Sequence, residues 1–291
     1  MYTIVTDSCS DLLPVYHDAY EDFIILPLEF TLDGKTYENM PDCEVSSDAF
    51  YNRLRAGSMS TTSQISPERF SQTFRELLAA GKDVLYIAFS SGLSGTYNSA
   101  CIARNTVLEE FPEGRLIVLD SLAASAGQGL LVYHALENRM RGMTLEENAA
   151  WVENNRLKLV HWFTVDDLHF LKRGGRCSPA AAFFGTLVNI KPVLHVDDAG
   201  HLIAREKVRG RKSALKALVD HMEKLATEPA AQTVFISHGD CIDDAKFVAA
   251  QITGRLGTPA ENIFISDIGP VIGSHSGPGT VALFFLGTDR G

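Results

Sequence analysis

The chain has 291 residues, 45% of them hydrophobic, which suits one large domain or two of ordinary size with buried cores. Its 26 Lys and Arg residues stand against 36 Asp and Glu residues, so the formal net charge is −10 at pH 7. Because proteins bind nucleic acid by neutralising phosphates with basic groups, this charge argues against a nucleic-acid partner.

The spacing of the cysteines and the first residues of the chain favour a cytoplasmic location. The five cysteines are widely spaced and form no CxxC pair, which favours reduced thiols and a cytoplasmic location over a disulfide framework. The opening MYTIVTDSCSDL lacks a basic segment followed by an apolar one, so we expect no secretion signal. No uncharged run of about 20 apolar residues is present, so we expect no membrane span.

The first 80 or so residues predict a strand, a hairpin and two helices. TIVTD reads as a strand, and FIILPLEFTLDGKTY reads as a hairpin that turns at Asp33 and Gly34. SSDAFYNRLRAG predicts a helix, and the following SMSTTSQIS predicts a polar loop. A further helix is predicted in SPERFSQTFRELLAAG, with Ser66 as its N-cap and Pro67 at its first position.

Strands and helices then alternate through DVLYIAFS, GTYNSACIARNTVLEEF, RLIVLDS and ASAGQGLLVYHALENRM, which implies a parallel sheet covered by helices. After about residue 158 the pattern changes to short elements, a hairpin turning at Ala199 and Gly200, and further strands and helices. We therefore predict an α/β protein of two closely packed domains. Residues 1–157 form an open, mostly parallel sheet flanked by helices, and residues 158–291 form an α/β domain with a mixed sheet.

Common enzyme signatures are missing from the sequence. GLSGT has Thr96 where a nucleophile elbow needs Gly, and no G-x-x-x-x-G-K-[ST] loop is present to hold ATP. GQGLLV, beginning at Gly127, lacks the third glycine of a dinucleotide-binding fingerprint. The nine His residues show no HExxH motif or paired spacing with cysteine, so no metal or cofactor is expected.

Small polar residues instead gather where strands end. Ser90 to Thr96 follow a predicted strand and place Ser94 and Gly95 at the start of a helix. Ligands of open α/β sheets bind beyond the carboxyl ends of the strands, where helix N-termini offer unpaired N–H groups to an anion. Each cluster taken alone is more typical of a turn or a helix cap than of an anion site.

The motifs IVTDSCSDL, TTSQIS, SSGLSGTYNSA, VLDSLAASAGQG, FLKRGGRCS, KPVLHVDDAGHL and IGSHSGPG, in this order, resemble the DegV family over residues 3 to about 287. The resemblance implies a fatty-acid-binding protein whose two α/β domains hold one acyl chain between them. It also implies a carrier without catalytic activity of its own. Such a carrier presents the acyl carboxylate to a separate ATP-binding fatty acid kinase subunit and then holds the acyl phosphate.

The resemblance also implies the residues that bind the carboxylate. Thr62 and Ser94 supply hydroxyls, the amide of Gly95 adds a donor, and His275 lies nearby. The family's TSQP reads TSQIS here, which leaves Thr61 as an alternative to Thr62. Neutral donors suit a carboxylate that must later react or exchange better than Lys or Arg would, and a buried headgroup needs such partners.

The acyl chain requires a dry slot, and two apolar stretches, AAAFFGTLVNI and VALFFLG, are candidates for its wall. The slot residues we predict from them are Phe183, Phe184, Leu187 and Phe284.

Two basic groups in an otherwise acidic chain predict a docking face, with Arg173 in LKRGGRC and Arg205 beside several further Lys and Arg residues. Such a face would steer an acidic kinase surface or make transient contact with an anionic membrane surface.

Two other functions fit parts of the sequence. One is a small-molecule hydrolase or transferase that uses Ser94 with His275, although the sequence offers no convincing base and orienting group. The other is a regulatory module that senses acyl chains. Without the resemblance, His275 reads as a histidine at a helix end that bonds to backbone.

Overall fold

The computed structural model describes residues 2–177 and 189–291, and three β-sheets organise these residues. In the first part of the chain the elements are β1 (Thr3–Asp7), α1 (Val15–Ala19), β2 (Phe23–Leu26), β3 (Glu29–Leu32), β4 (Lys35–Glu38), α2 (Ser47–Arg55), β5 (Ser60–Ser63), α3 (Pro67–Ala79), β6 (Val84–Ala88), α4 (Thr96–Glu110), β7 (Leu116–Asp120), α5 (Ala126–Met140) and α6 (Leu145–Asn155). In the second part they are β8 (Leu159–Thr164), α7 (His169–Arg173), β9 (Ile190–Val196), β10 (Leu202–Arg209), α8 (Arg211–Leu225), β11 (Val234–His238), α9 (Ile242–Leu256), β12 (Ile263–Asp267), α10 (Pro270–Ser276) and β13 (Val281–Leu286).

The two large sheets differ in strand direction. A parallel sheet has the order β2-β1-β6-β7, and a mixed sheet has the order β10-β9-β8-β13-β11-β12, in which only β11 and β12 pair in parallel. The α/β class with one parallel and one mixed sheet is therefore confirmed. The division into domains at residues 157 and 158 stays a prediction.

Local signals behave as expected at several element ends. Asp33 and Gly34 adopt φ values of 51° and 81°, which the tight turn between β3 and β4 requires. The Ser66 side chain accepts a hydrogen bond from the N–H of Arg69, and Pro67 opens α3. The hairpin of β9 and β10 is antiparallel and turns through Gly200, whose φ is 78°.

The prediction of a polar loop over SMSTTSQIS is wrong, because Ser60–Ser63 form strand β5. This strand is antiparallel to β3, and Thr62 stands opposite Phe30 in the three-stranded sheet β4-β3-β5. Side chains of a strand alternate between its faces, so Ser60 and Thr62 point the same way, toward α10, while Thr61 is exposed. The hydroxyls of Ser60 and Thr62 thus have polar partners on α10, Ser274 and His275.

Helix α5 joins the two large sheets into one packed unit. It contacts β1 and β6 of the parallel sheet and β8, β11 and β13 of the mixed sheet. Gly127 and Gly129 allow this close packing, since a Cβ at Gly129 would stand 2.5 Å from the Ser10 carbonyl oxygen. The GQG spacing thus serves helix packing.

Candidate functional site

The main candidate site is a cavity of about 420 Å³, within the size range of small-molecule sites. Its walls come from both parts of the chain: β5 and the segments after β6 and β7 on one side, and α7, β10 and α10 on the other. The lining residues are Leu28, Thr62, Ser63, Gln64, Phe89, Leu93, Ser94, Gly95, Ala124, Leu171, Arg176, Leu202, Val271, Ile272, His275 and Ser276.

A smaller compartment of about 60 Å³ adjoins this cavity, because the two share five lining residues. The shared residues are Ala124, Leu171, Leu202, Ile272 and Ser276. Beyond them the compartment is lined mainly by buried apolar side chains, including Phe163, Val196 and Phe284. The polar residues Thr62, Gln64, Ser94 and Gly95 are partly or fully exposed at the other end. The combined space thus has a polar mouth and a buried apolar interior.

Thr62 and His275 meet across the mouth. Thr62 lies on β5 and His275 on α10, and Thr62 Oγ1 is 2.8 Å from His275 Nε2. Two positions along β5 and one along α10, Ser60 Oγ and Ser274 Oγ are 2.7 Å apart, so two side-chain pairs fix β5 against α10. The exposed Thr61 does not line the cavity, so the geometry favours Thr62 over Thr61 as the ligand-facing hydroxyl.

The surroundings of His275 fix its protonation. Burial, helped by the positive charges of Arg176 and Arg173, lowers the pKa of His275 to about 4, so the ring is neutral at neutral pH. Its buried Nδ1 has no hydrogen-bond partner and lies against Gly174, where a Cβ would stand only 2.2 Å away. A proton on Nδ1 would leave a buried donor unsatisfied, so the favoured tautomer carries it on Nε2. Nε2–H then donates to Thr62 Oγ1, and the Thr62 hydroxyl hydrogen is available to the cavity.

Ser94 and Gly95 stand at the start of α4, as the sequence predicts. Gly95 is the N-cap residue, and the N–H of Thr96 donates to Ser94 Oγ over 3.2 Å. The first N–H groups of a helix have no partner within the helix and carry a partial positive charge, which favours an anion. The Gln64 side chain packs directly against Gly95, since a Cβ at Gly95 would stand 2.1 Å from Gln64 Oε1. Gln64 Nε2 donates a hydrogen bond to Ser99 Oγ.

Sequence reasoning missed Arg176 as a residue of this cavity. Its guanidinium donates to the carbonyl oxygens of Leu93 and Gly174, and the side chain lines the mouth together with His275. The expectation of neutral donors stays a prediction, and the positively charged side chain of Arg176 lines the same cavity. The signal was present in FLKRGGRCS, where the two glycines let the chain fold back at the mouth.

The remaining predicted residues have mixed positions. Phe284 lines the inner compartment, whereas Phe183, Phe184 and Leu187 lie outside the described residues. Arg173 is exposed, packs over the Phe170 ring and donates to Met59 Sδ. Arg205 is also exposed and donates to the Gly291 carbonyl oxygen. These two arginines line separate surface depressions with no residue in common.

Comparison with known proteins identifies the family. The family model described as "Uncharacterised protein, DegV family" matches residues 1–288. The chain belongs to the DegV family. A DegV domain-containing protein of Clostridium perfringens (strain 13 / Type A) is 46% identical to this DegV chain, over 99% of it and 98% of the relative. The resemblance carried by the sequence motifs is thus confirmed.

Solved structures of DegV proteins share the fold. A Thermus thermophilus structure, described as fatty acid binding of a DegV family protein, has a TM-score of 0.86 and 34% identity, covering 98% of this chain and 99% of that chain. A structure described as a stearic acid-binding protein from Eubacterium ventriosum has a TM-score of 0.85 and 26% identity, covering 99% of this chain and 98% of that chain. In the part of this chain that the structure describes, no helix is long and apolar enough to cross a membrane.

Proposed function

We propose that this DegV protein binds one long-chain fatty acid, with its carboxylate at the mouth of the cavity and its tail in the apolar interior. The observation that carries the proposal is the polarity of the space: Thr62, Ser94 and Arg176 line one end, and Phe163 and Phe284 line the other. The Thermus thermophilus and Eubacterium ventriosum proteins, described as binding fatty acid and stearic acid, support it.

The mouth suits a carboxylate. Burying this charge without partners costs several kcal/mol or more, so the headgroup needs several donors at once. In the proposal, the hydroxyls of Thr62 and Ser94 and the Gly95 amide donate to the carboxylate oxygens, and His275 holds Thr62 in the donating orientation. Arg176 adds positive charge to this end of the cavity, which also suits the extra negative charge of an acyl phosphate.

The interior suits the tail. Each methylene removed from water stabilises the complex by roughly 0.8 kcal/mol, so a long chain gains far more than a short one. Phe284 contributes to this wall in the proposal, and the predicted slot residues Phe183, Phe184 and Leu187 would add to it.

We further propose that the protein acts as the carrier subunit of a fatty acid kinase. The headgroup end is the exposed end of the cavity, so a bound carboxylate would face a partner that supplies ATP. Arg173 and Arg205 would contact that partner, or an anionic membrane surface during ligand exchange. Because the reaction consumes ATP, this role also requires a cytoplasmic location. No nucleic acid takes part.

An enzyme acting through Ser94 and His275 is the alternative, and the hydrogen bonds oppose it. His275 Nε2 is engaged with Thr62, and Ser94 Oγ lies 2.9 Å from Thr96 Oγ1. His275 Nδ1, which an orienting carboxylate would contact in a Ser-His-Asp arrangement, has no partner. A serine without a base in reach is a poor nucleophile.

Native mass spectrometry of the protein purified from cells tests the proposal. We expect a co-purified mass of a long-chain fatty acid, which mild delipidation removes and added acid restores. The Ser94→Ala variant should retain less acid than the wild type. An empty wild-type protein that takes up no added acid, or one that hydrolyses esters and loses this activity in Ser94→Ala, would contradict it.

A further inference from the structure

We infer that His161 and Phe284 form the end wall of the acyl cavity and so set the length of chain that fits. This inference rests on the proposed function and adds a specificity determinant to it. Both residues line the inner compartment, which is bounded mainly by buried side chains and adjoins the cavity that begins at Thr62 and Ser94. The tail terminus of a bound acid, not its carboxylate, would therefore meet them.

The wall is packed tightly from behind. The rings of His161 and Phe284 meet edge to face with centroids 5.3 Å apart, and the two side chains are 1% and 2% exposed. A Cβ at Gly127 of α5 would stand 2.3 Å from His161 Nε2 and 2.7 Å from Phe284 Cδ1. These distances are far below van der Waals contact, so the two rings rest directly on the helix backbone.

The two rings project from neighbouring strands of the mixed sheet. His161 of β8 and Phe284 of β13 are opposite one another in the mixed sheet, and β13 lies between β8 and β11. The inner compartment is free space next to the two rings, so we expect a ring displaced from α5 to move into it.

A histidine at this place remains uncharged. Burial lowers the pKa of His161 well below its usual value, and the positive charge of Arg290 adds to the effect, while the nearby Leu159 carbonyl opposes it only in part. Neither ring nitrogen has a hydrogen-bond partner. The neutral imidazole thus acts as a flat wall element beside Phe284.

The test is a chain-length profile, measured by competition binding of saturated acids from decanoic to eicosanoic acid to the delipidated full chain. In the wild type, affinity should rise about fourfold per added methylene until the tail meets the wall, and then stop rising. Gly127→Ala should move this break point to a shorter acid, because the added methyl pushes both rings into the compartment. His161→Ala should move it to a longer acid.

The control is Gly254→Ala in α9, where a Cβ would have nothing within 4 Å, so the same exchange should leave the break point unchanged. Thermal unfolding of each variant shows whether it is folded, and Phe284→Leu replaces His161→Ala if that variant is not. The inference would be overturned if all variants still bind acid and the break point is the same in the wild type, in Gly127→Ala and in the variant with the larger cavity, His161→Ala or Phe284→Leu. Absence of acid binding in the wild type would instead overturn the proposed function.

Discussion

Thr62 and His275 are 213 positions apart in the chain, yet Thr62 Oγ1 and His275 Nε2 share a hydrogen bond of 2.8 Å. The bond joins β5 to α10. It brings together Thr62 of TTSQIS and His275 of IGSHSGPG, two motifs that are each weak evidence of a site when taken alone. With Nε2–H as the donor, the threonine hydroxyl keeps its own hydrogen for a ligand. The pair is thus a positioned donor, with Gly174 on the far side of the ring.

Replacing Thr62 by valine should weaken fatty-acid binding by roughly ten- to hundredfold, because a hydrogen bond to a charged group contributes about 1.5–3 kcal/mol. Valine keeps the shape and the preference for a strand, so the fold should be retained. Competition binding of a long-chain acid measures the effect. Thr61→Val is the matched control on the same strand, and its affinity should stay within about twofold of the wild type. Equal losses in both variants would contradict the role of Thr62.

His275 should make the stability of the protein depend on pH between about 6.5 and about 4. Its pKa falls from 6.5 to about 4 in the folded protein, so in this window the unfolded chain binds a proton that the folded protein does not. The contribution of His275 to the free energy of unfolding should therefore decrease as the pH falls through the window and level off below it. Other buried histidines contribute in the same direction, whereas Asp11, whose pKa burial raises to about 7, contributes in the opposite direction.

Urea unfolding of the wild type and of His275→Gln at several pH values isolates the contribution of this ring. The variant should lose less stability between pH 6.5 and 4 than the wild type. The two plots of unfolding free energy against pH should differ in slope by at most the contribution of one bound proton. A slope in His275→Gln as steep as that of the wild type would show that His275 is not buried in its neutral form.

The sequence predicts the helices, strands and turns of this fold better than the tertiary contacts between them. Asp33 and Gly34 indicate a turn because few residues adopt positive φ easily. Ser66 and Pro67 indicate a helix start because an N-cap and a proline at the first position affect only the first turn of the helix. Strand β5 was missed because its stability comes from β3 and α10, which lie far away in the sequence. Local propensity carries no information about such partners.

The same limit applies to the site. The helix start at Ser94 and Gly95 follows from the local pattern, but the meeting of Thr62 with His275 came only from the family resemblance. Arg176 was missed because a run of charged residues usually indicates a solvent-exposed surface. Only the path of the chain at Gly174 shows that this arginine turns toward the cavity.

Gly174→Ala should weaken fatty-acid binding although the residue touches no ligand in the proposal. The added methyl would stand 2.2 Å from His275 Nδ1, so the ring must move and its bond to Thr62 must break. The backbone itself tolerates alanine, because φ is −72° and ψ is −12°. Gly254→Ala, in open space on α9, should have no such effect.

A double-mutant cycle separates this mechanism from general damage. If Gly174 acts through His275, then Gly174→Ala should cost little further affinity in a His275→Ala background, because the ring it displaces is gone. Binding of a long-chain acid to the four proteins supplies the cycle. Additive losses would mean that Gly174 supports the site by another route.

Reversing the charge of Arg173 and Arg205 together should slow acyl phosphate formation by a fatty acid kinase subunit with ATP, while retention of the acid stays unchanged. Both side chains are exposed, and charges at the rim of an interface act mainly on the association rate. The rate at low carrier concentration should therefore fall by about tenfold or more, and the wild-type rate should decrease with added salt. Lys158→Glu with Lys246→Glu, at two other exposed positions, controls for the change in net charge. Loss of the bound acid in the double arginine variant, or an equal slowing in the lysine control, would remove the case for a docking face at Arg173 and Arg205.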